Sequence, residues 1–298
     1  MALRVTYYNE IDPFAAAWLR NLISAGHITD GVVDERSIRD VRPADLDGCE
    51  RAHFFAGIAG WDLALQLAGW PDDAPVWTGS CPCQPFSSAG RGRGTADDRH
   101  FWPVWFDLIR ECRPPIIFGE QVAAAIRHGW LDLVFDDLEG TGYACRAAIA
   151  PACSVGAPHI RERLWWVAYA DTAGRREQRR GGLLDRERTA QRDDADGRCA
   201  LRRMGDAGGA GLAGWPRELG DDGAQRATAQ RAGCWSDLVW LPCTDGKARP
   251  TQPGLQPLAH GATGRVGRLR AYGNAIVPQV AAAFISAAIK IINEARHA

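Results

Sequence analysis

The chain has 298 residues, with 35 basic and 36 acidic side chains that give a formal net charge of -1 at pH 7. This length allows one large domain with a full core and a second, smaller one. The near-neutral balance excludes a global attraction to nucleic acid, so any such binding must use local basic patches. Nine cysteines without repeated C-x-x-C pairs, and no recognisable signal peptide or long apolar span, indicate a reducing cytoplasm.

Short apolar runs typical of strands alternate with amphipathic runs typical of helices through the first 170 residues. The predicted strands are 5–8, 53–55, 76–78 and 116–118, and the predicted helices are 13–23, 61–67, 101–109 and 130–138. This alternation predicts an α/β fold in which crossover helices connect the strands of one sheet.

The composition changes after residue 170. From Asp171 to about Gly233 the chain is rich in Arg, Asp, Gly and Ala and loses its aliphatic periodicity, which indicates loop or a weakly ordered insertion. Apolar residues return after Trp235, and residues 274–292 have a strong helical pattern. We therefore predict a main domain, a partly disordered irregular region and a segment that returns to the main domain, at residues 1–170, 171–264 and 265–298.

The segment G-S-C-P-C-Q-P-F-S, residues 79–87, directly follows a predicted strand. Open α/β sheets hold their ligands at the carboxyl ends of their strands, so Cys83 is a candidate nucleophile. A buried structural cysteine is the alternative. A zinc site is disfavoured because Cys81 and Cys83 are separated by one residue, and we expect no metal. The basic, glycine-rich loop 90–94 could close over a polyanion, which favours the catalytic interpretation.

This segment and motifs elsewhere together resemble those of DNA (cytosine-5)-methyltransferases. Each match is weak alone, but the combination is highly specific and covers most of the chain outside 171–265. The matching residues are Pro82, Cys83, Gln84, Phe86 and Ser87, Phe55, Gly57 and Gly60, Asn9-Glu10, Glu120-Gln121-Val122, Arg161-x-Arg163 and Gly273-Asn274. The resemblance implies a Rossmann-like S-adenosylmethionine-dependent methyltransferase sheet, with catalysis in 1–170 and target recognition in 171–264.

The resemblance implies methyl transfer to C5 of a flipped cytosine in duplex DNA through a covalent Cys83–C6 adduct. Glu120 would supply an acid at N3 of the base. Arg163 would favour the thiolate and contact O2, while Arg161 would support the catalytic loop. The two arginines precede an apolar run, so on a strand they would project to one face. Without Cys83, a strand-end carboxylate in solvent would be the favoured interpretation of Glu120, and without the other motifs the two arginines would be equally consistent with a solvated strand edge. His159 stands where the family usually has glutamine.

The implied S-adenosyl-L-methionine site is spread over several segments. Glu10 would hold the ribose hydroxyls, Phe55 would stack near the adenine, and two glycines would lie at the methionine end. Ser37 and Ile38 stand where the family has an acid that contacts the adenine amino group. Ala59 replaces a customary glycine, and its methyl group would narrow the pocket. The full predicted set is Glu10, Ile11, Ser37, Ile38, Phe55, Gly57, Gly60, Pro82 and Asn274.

The order of these segments differs from that of the family, in which the Phe-x-Gly strand precedes the ribose-binding acid. Here Glu10 and Ser37 precede Phe55. We therefore expect an internally permuted sheet, in which a strand-helix unit has moved to a place just before the Cys83 strand. Because chemistry depends on spatial assembly, Phe55 should still lie close to Glu10.

The expected partner is double-stranded DNA. Its predicted contacts are Gln84, Ser87, Arg91 and Arg93 in the loop after Cys83, with residues 235–270, which include Lys247 and Arg249, as a small recognition domain. Residues 175–196 are more typical of a solvated, charge-mixed insertion. We expect a monomer of the bacterial cytosol without a membrane association, of a prophage-borne or solitary type; the sequence leaves open a companion restriction endonuclease.

Three other functions are alternatives. An RNA cytosine-5 methyltransferase would use the same thiolate chemistry, with only the recognition region differing. A non-catalytic DNA-binding regulatory protein would have no evident need for Cys83, Glu120 and Arg163 together. A dinucleotide oxidoreductase is disfavoured because the Phe-x-Gly segment lacks the full G-x-G-x-x-G spacing.

Overall fold

In the computed structural model, the described residues are 5–82, 101–170, 239–242, 246, 248–251 and 271–297. The chain divides into two compact units. The first comprises Met1–Asp171 with Gly254–Ala298, and the second is Thr172–Pro253. The composition alone placed the corresponding boundaries at 170/171 and 264/265.

The first unit contains a seven-stranded sheet with strand order β2-β1-β3-β4-β5-β7-β6. Strands β1 to β5 are parallel to one another, whereas β7 runs antiparallel between β5 and β6. The strands are β1 (Val5–Asn9), β2 (Gly31–Asp34), β3 (Cys49–Phe54), β4 (Val76–Gly79), β5 (Ile116–Val122), β6 (Tyr143–Ala150) and β7 (Arg163–Ala170). The helices are α1 (Pro13–Ser24), α2 (Gly60–Leu67), α3 (Trp102–Cys112), α4 (Trp130–Gly140) and α5 (Pro278–His297).

The strand order is the one that the predicted permutation requires. The order of β1 to β5, 2-1-3-4-5, is one of the two common doubly wound orders; in the other, 3-2-1-4-5, the chain enters at the strand in position 1. Here β3 occupies that position, with β1 and β2 beyond it on one side and β4 and β5 on the other. The backbone N–H of Gly57, just after β3, donates to Oε2 of Glu10 at 2.7 Å. The sheet neighbours are thus those of the unpermuted order, although the chain visits them differently.

All eight elements predicted within the first 170 residues are present, and the differences have local causes. Strands β2 and β6 escaped prediction because the apolar run of β2 is only Val32 and Val33, and β6 is rich in alanine, which has a low β propensity. Strand β3 begins at Cys49 because its polar first residues also join the ladder with β1. Helix α5 begins at Pro278 and not at residue 274, since the residue before a proline is disfavoured in the α region.

A tryptophan-rich core covers one face of the sheet. Helices α3 and α4 contribute Trp102, Trp105 and Trp130, which pack against strand residues that include Trp166. Glycine is required beneath one of these rings: a Cβ on Gly119 would lie 2.0 Å from Cε2 of Trp166. The large rings therefore rest directly on the backbone of the central strands.

Helices α2 and α5 pack together on the other face. Phe284 of α5 contacts the rings of Phe118 and Trp165. The stretch Ala271–Glu294 is long and apolar enough to cross a membrane by length and composition. Its buried residues, however, pack against the sheet and α2, which is how the core helix of a globular domain uses such a sequence.

The second unit contains a two-stranded antiparallel ribbon among its described residues. It consists of β8 (Val239–Pro242) and β9 (Ala248–Thr251), which lie in the segment expected to form the recognition domain. Val239 and Trp240 are exposed, at 46% and 50%.

Candidate functional site

A cavity of about 560 Å³ opens at the carboxyl ends of β1, β3, β4 and β5. Parallel strands all end at this edge of the sheet, which is where α/β proteins bind ligands. The volume is in the range of small-molecule sites, about 300–1,000 Å³. Its lining residues are Asn9, Glu10, Ile11, Asp12, Ala15, Ser37, Ile38, Phe55, Gly57, Ser80, Cys81, Pro82, Phe101, Glu120, Gln121, Val122, Arg163, Ala271, Gly273 and Asn274.

Most of the predicted site residues that the structure describes meet in this cavity. They are Glu10, Ile11, Ser37, Ile38, Phe55, Gly57, Pro82, Glu120, Arg163 and Asn274. The lining does not include the described residues Gly60 and Arg161. Five further predictions fall outside the described residues, namely Cys83, Gln84, Ser87, Arg91 and Arg93.

Backbone groups on two neighbouring segments hold the Glu10 carboxylate. Its Oε1 accepts from the N–H of Asp12 at 2.8 Å, and its Oε2 accepts from the N–H of Gly57 at 2.7 Å. A carboxylate offers about four acceptor positions, so this arrangement fixes its orientation and leaves capacity for the hydroxyls of a bound sugar. Glu10 therefore ties the end of β1 to the loop after β3.

The loop after β2 forms the part of the cavity wall next to the end of β1. Asn9 Nδ2 donates to the carbonyl of Arg36 at 2.9 Å and to that of Asp34 at 3.3 Å. Ser37 then begins a short 3-10 turn, in which its Oγ accepts from the N–H of Arg39 at 3.3 Å. In the sequence, Asn9 appeared only as part of the Asn9-Glu10 motif. In the structure, its hydrogen bonds hold the loop that places Ser37 in the cavity wall.

The loop between β3 and α2 corrects two expectations. Ala59 has φ 67° and is 3% exposed, packed in a core cluster with Tyr8 and Leu19. Its methyl group therefore points into the core and does not narrow the cavity. Gly60 faces the C-terminal segment: a Cβ there would lie 2.6 Å from Cγ1 of Ile276. Close packing, and not contact with a ligand in the cavity, explains a glycine at this position.

Glu120 and Arg163 form an ion pair in the cavity wall. Arg163 Nε lies 2.9 Å from Oε1 of Glu120, on adjacent strands β7 and β5. The side chains are 22% and 10% exposed, so water screens the pair little. Burial raises the pKa of the Glu120 carboxyl above its ordinary value, while Arg163 and a hydrogen bond with Ser80 act in the opposite direction. The environment thus favours a protonated carboxyl more than solvent would.

Ser80 belongs to this site, although no sequence pattern pointed to it. The register of β4 with β5 pairs Gly79 with Gly119, which puts Ser80 next to Glu120. Trp61 Nε1 donates to Ser80 Oγ at 3.0 Å. Because a serine hydroxyl has a single proton, an oxygen that already accepts from Trp61 is oriented to donate that proton to the Glu120 carboxylate.

Gln121 anchors the segment that leads to Cys83. Its Nε2 donates to the carbonyl of Cys81 at 3.1 Å, and its Oε1 accepts from the N–H of Val122 at 2.9 Å. Both side-chain groups are therefore satisfied although Gln121 is only 2% exposed. The hydrogen bond to Cys81 fixes the chain at the base of the loop and next to the Glu120 pair.

Arg161 differs from its prediction. Strand β7 begins at Arg163, and Arg161 precedes it with φ 33°, so the two side chains do not share a strand face. Arg161 Nη2 instead donates to the carbonyls of Gly273 and Ala275, at 2.8 and 2.6 Å. The left-handed backbone at Arg161 breaks the period-two alternation on which the prediction relied.

The strand order and the cavity at the strand ends define a Rossmann-like α/β fold. Residues 66–180 match the family model of C-5 cytosine-specific DNA methylases. The chain is 33% identical over 110 residues to the type II methyltransferase M.AplI of Arthrospira platensis, and 32% identical over 131 residues to M.AluI of Cellulosimicrobium cellulans. The chain is thus similar to C-5 cytosine-specific DNA methylases over part of its length.

These alignments cover 36% and 40% of the chain, and 31% and 25% of the two relatives. The chain thus aligns with about a third or less of each relative's length. Among solved structures, DNMT2 of Spodoptera frugiperda is 15% identical with a TM-score of 0.37, over 57% of this chain and 51% of that one. The strand order of the chain itself, and not this likeness, supports the fold assignment.

Proposed function

We propose that the protein is a DNA (cytosine-5)-methyltransferase that transfers a methyl group from S-adenosylmethionine to C5 of a flipped cytosine in duplex DNA. The observation that carries the proposal is the buried Glu120–Arg163 pair, which shares one cavity with Glu10 and with Pro82, the residue before Cys83. The match of residues 66–180 to the family model of C-5 cytosine-specific DNA methylases supports the choice of reaction. An acid, a cation and a candidate nucleophile would then meet at the end of a cavity large enough for a nucleoside.

The cavity fits S-adenosylmethionine by its chemistry. The oriented carboxylate of Glu10 is suited to ribose hydroxyls, and Ile11, which is 62% exposed, offers an apolar face to a purine ring. Phe55 adds an aromatic wall, and Ser37 and Ile38 add polar backbone at the same end. When bound, S-adenosylmethionine would supply an electrophilic sulfonium methyl group. Gly57 and Asn274 would complete its site.

The reaction begins at Cys83. Its thiolate attacks C6 of the cytosine, forming the S–C6 bond, and the electron pair of the C5–C6 double bond makes C5 nucleophilic. Bound S-adenosylmethionine would supply the methyl group to C5 and would leave as S-adenosylhomocysteine. Loss of the C5 proton to a base restores the double bond and expels the Cys83 thiolate. The reaction consumes one methyl donor for each cytosine and releases one proton.

Glu120 and Arg163 would act on the ring during the addition. Electron density moves towards N3 and O2 when the thiolate adds to C6. Burial raises the pKa of Glu120, which favours the protonated carboxyl that would donate to N3. Arg163 offers guanidinium donors beyond the Nε that contacts Glu120, and these can contact O2. Its positive charge also favours the thiolate form of Cys83.

DNA would approach the open mouth of the cavity. A cytosine in a duplex cannot present C6 to a cysteine, so the base must flip out, at a cost of about a few kcal/mol. Arg91 and Arg93 would contact phosphates, and Gln84 and Ser87 are the other predicted DNA contacts of the same loop. The ribbon formed by β8 and β9 is the candidate for base recognition, because two-stranded ribbons fit the major groove.

Methyl incorporation from labelled S-adenosylmethionine tests the proposal. We expect incorporation into duplex DNA but not into tRNA, and covalent trapping by DNA that contains 5-fluorocytosine. Cys83→Ala should abolish both while S-adenosylmethionine still binds. The matched control is Cys153→Ala, which changes an exposed free cysteine outside the cavity lining and should remain active.

Bisulfite sequencing of DNA from expressing cells would identify the methylated sequence. Turnover by Cys83→Ala would refute the covalent mechanism. Incorporation into tRNA alone would replace the DNA substrate with RNA, and the absence of incorporation into both would favour a non-catalytic binding protein.

A further inference from the structure

We propose that Arg161 is a positioning residue for the S-adenosylmethionine site, acting through Asn274 and not on the target base. This inference rests on the proposed function, which supplies the ligand. The guanidinium of Arg161 bonds the backbone on both sides of Asn274, at Gly273 and Ala275. Arg161 therefore holds the short segment that presents Asn274 to the cavity.

The two hydrogen bonds satisfy backbone carbonyls at a break between two helical segments. Residues 271–274 form one helical turn, and α5 starts only at Pro278, so the carbonyls between them cannot all be used within a helix. Arg161 Nη2 supplies a charged donor to two of these carbonyls, at 2.8 and 2.6 Å. Charge-assisted bonds of this length are stronger than neutral ones.

A second contact holds the same segment from the other side. Ile276 is 8% exposed and packs so closely on Gly60 that a Cβ there would lie 2.6 Å from it. Gly60 begins α2, directly after the loop that carries Phe55 and Gly57. The segment with Asn274 is thus held by Arg161 before β7 and by the start of α2.

The two arginines therefore have different tasks. Arg163 lines the cavity and pairs with Glu120, whereas Arg161 lies outside the described lining and has its guanidinium directed to the C-terminal segment. Burial and the nearby Arg163 lower the pKa of Arg161. The two carbonyl oxygens compensate its charge.

Binding and kinetics of the full chain distinguish this role from a role at the base. Arg161→Ala should weaken S-adenosylmethionine binding in calorimetry by about tenfold or more, the effect of losing charged hydrogen bonds. The KM for S-adenosylmethionine should rise similarly, while kcat at saturation and the KM for DNA stay close to wild type. Arg161→Lys should restore part of the affinity, because an ammonium can bond one of the carbonyls. Arg146→Ala, at an exposed strand arginine, is the control and should change nothing.

A double-mutant cycle with Asn274→Ala tests the coupling directly. If Arg161 acts through Asn274, the effects of the two substitutions on affinity should be less than additive. The cycle can use Arg161→Lys if Arg161→Ala does not fold. Additive effects, or a lower kcat with unchanged affinity for S-adenosylmethionine, would overturn this inference and leave the proposed function in place. Wild-type protein that does not bind S-adenosylmethionine would overturn the proposed function as well.

Discussion

Ser80→Ala is the most direct test of how the structure controls the Glu120 proton. The substitution deletes one hydroxyl, which accepts from Trp61 at 3.0 Å and hydrogen-bonds the Glu120 carboxyl. A hydrogen bond to a charged group contributes about 1.5–3 kcal/mol, and here it favours the ionised carboxylate. Without it the pKa of Glu120 rises further, in the direction in which burial already moves it.

The sign of the kinetic effect follows from the proposed role of Glu120 as an acid. Methyl transfer needs the protonated form, so kcat should decline as pH rises through the pKa of Glu120 in the substrate complex. Ser80→Ala should move this alkaline limb to higher pH. The assay is kcat against pH at saturating DNA and S-adenosylmethionine. Glu120→Gln identifies the limb, because that variant should lose it together with about a hundredfold or more of the rate.

Ser154→Ala is the matched control, since Ser154 Oγ donates to the carbonyl of Pro151 at 2.7 Å and lies outside the cavity lining. Its pH profile should match that of the wild type. A limb that stays in place in Ser80→Ala, or moves to lower pH, would refute the inference that Ser80 stabilises the ionised form of Glu120.

Two further predictions concern the stability of the fold. Arg163→Met leaves the buried Glu120 without its cation, so the free energy of unfolding should fall by about 3 kcal/mol in urea titrations at neutral pH, and by less in acid, where Glu120 becomes protonated. The exposed Arg110–Asp107 pair is the control, and Arg110→Met should cost less than about 1 kcal/mol; a loss independent of pH in Arg163→Met would contradict the pairing. Gly60→Ala should cost about 1–3 kcal/mol through overlap with Ile276, and shortening that residue in Gly60→Ala/Ile276→Val should recover part of it. Thermal melts measure both effects, and the control is Gly140→Ala, where a Cβ meets nothing within 4 Å and the stability should not change. Equal losses of stability in Gly60→Ala and Gly140→Ala would contradict the close packing at Gly60.

The sequence by itself determined the elements that carry a strong local signal. Apolar runs predicted β1, β4 and β5, and amphipathic runs predicted the helices between them. The motif order also predicted the permutation, because Glu10 and Phe55 each follow a strand whose neighbours are limited by the doubly wound arrangement. The cavity then brought together residues from distant segments because parallel strands end at one edge.

Only the tertiary structure decided what several of these residues do. Arg161 and Arg163 look equivalent in sequence, but the positive φ at Arg161 sends one guanidinium to the Gly273 and Ala275 carbonyls and leaves the other with Glu120. Gly60 likewise looked like a ligand-binding glycine, and Ile276 explains it by packing. The role of Ser80 depends on the pairing of β4 with β5. Local patterns encode backbone periodicity and residue chemistry, whereas these contacts depend on which chain segments meet, and that is decided when the sheet and its helices pack.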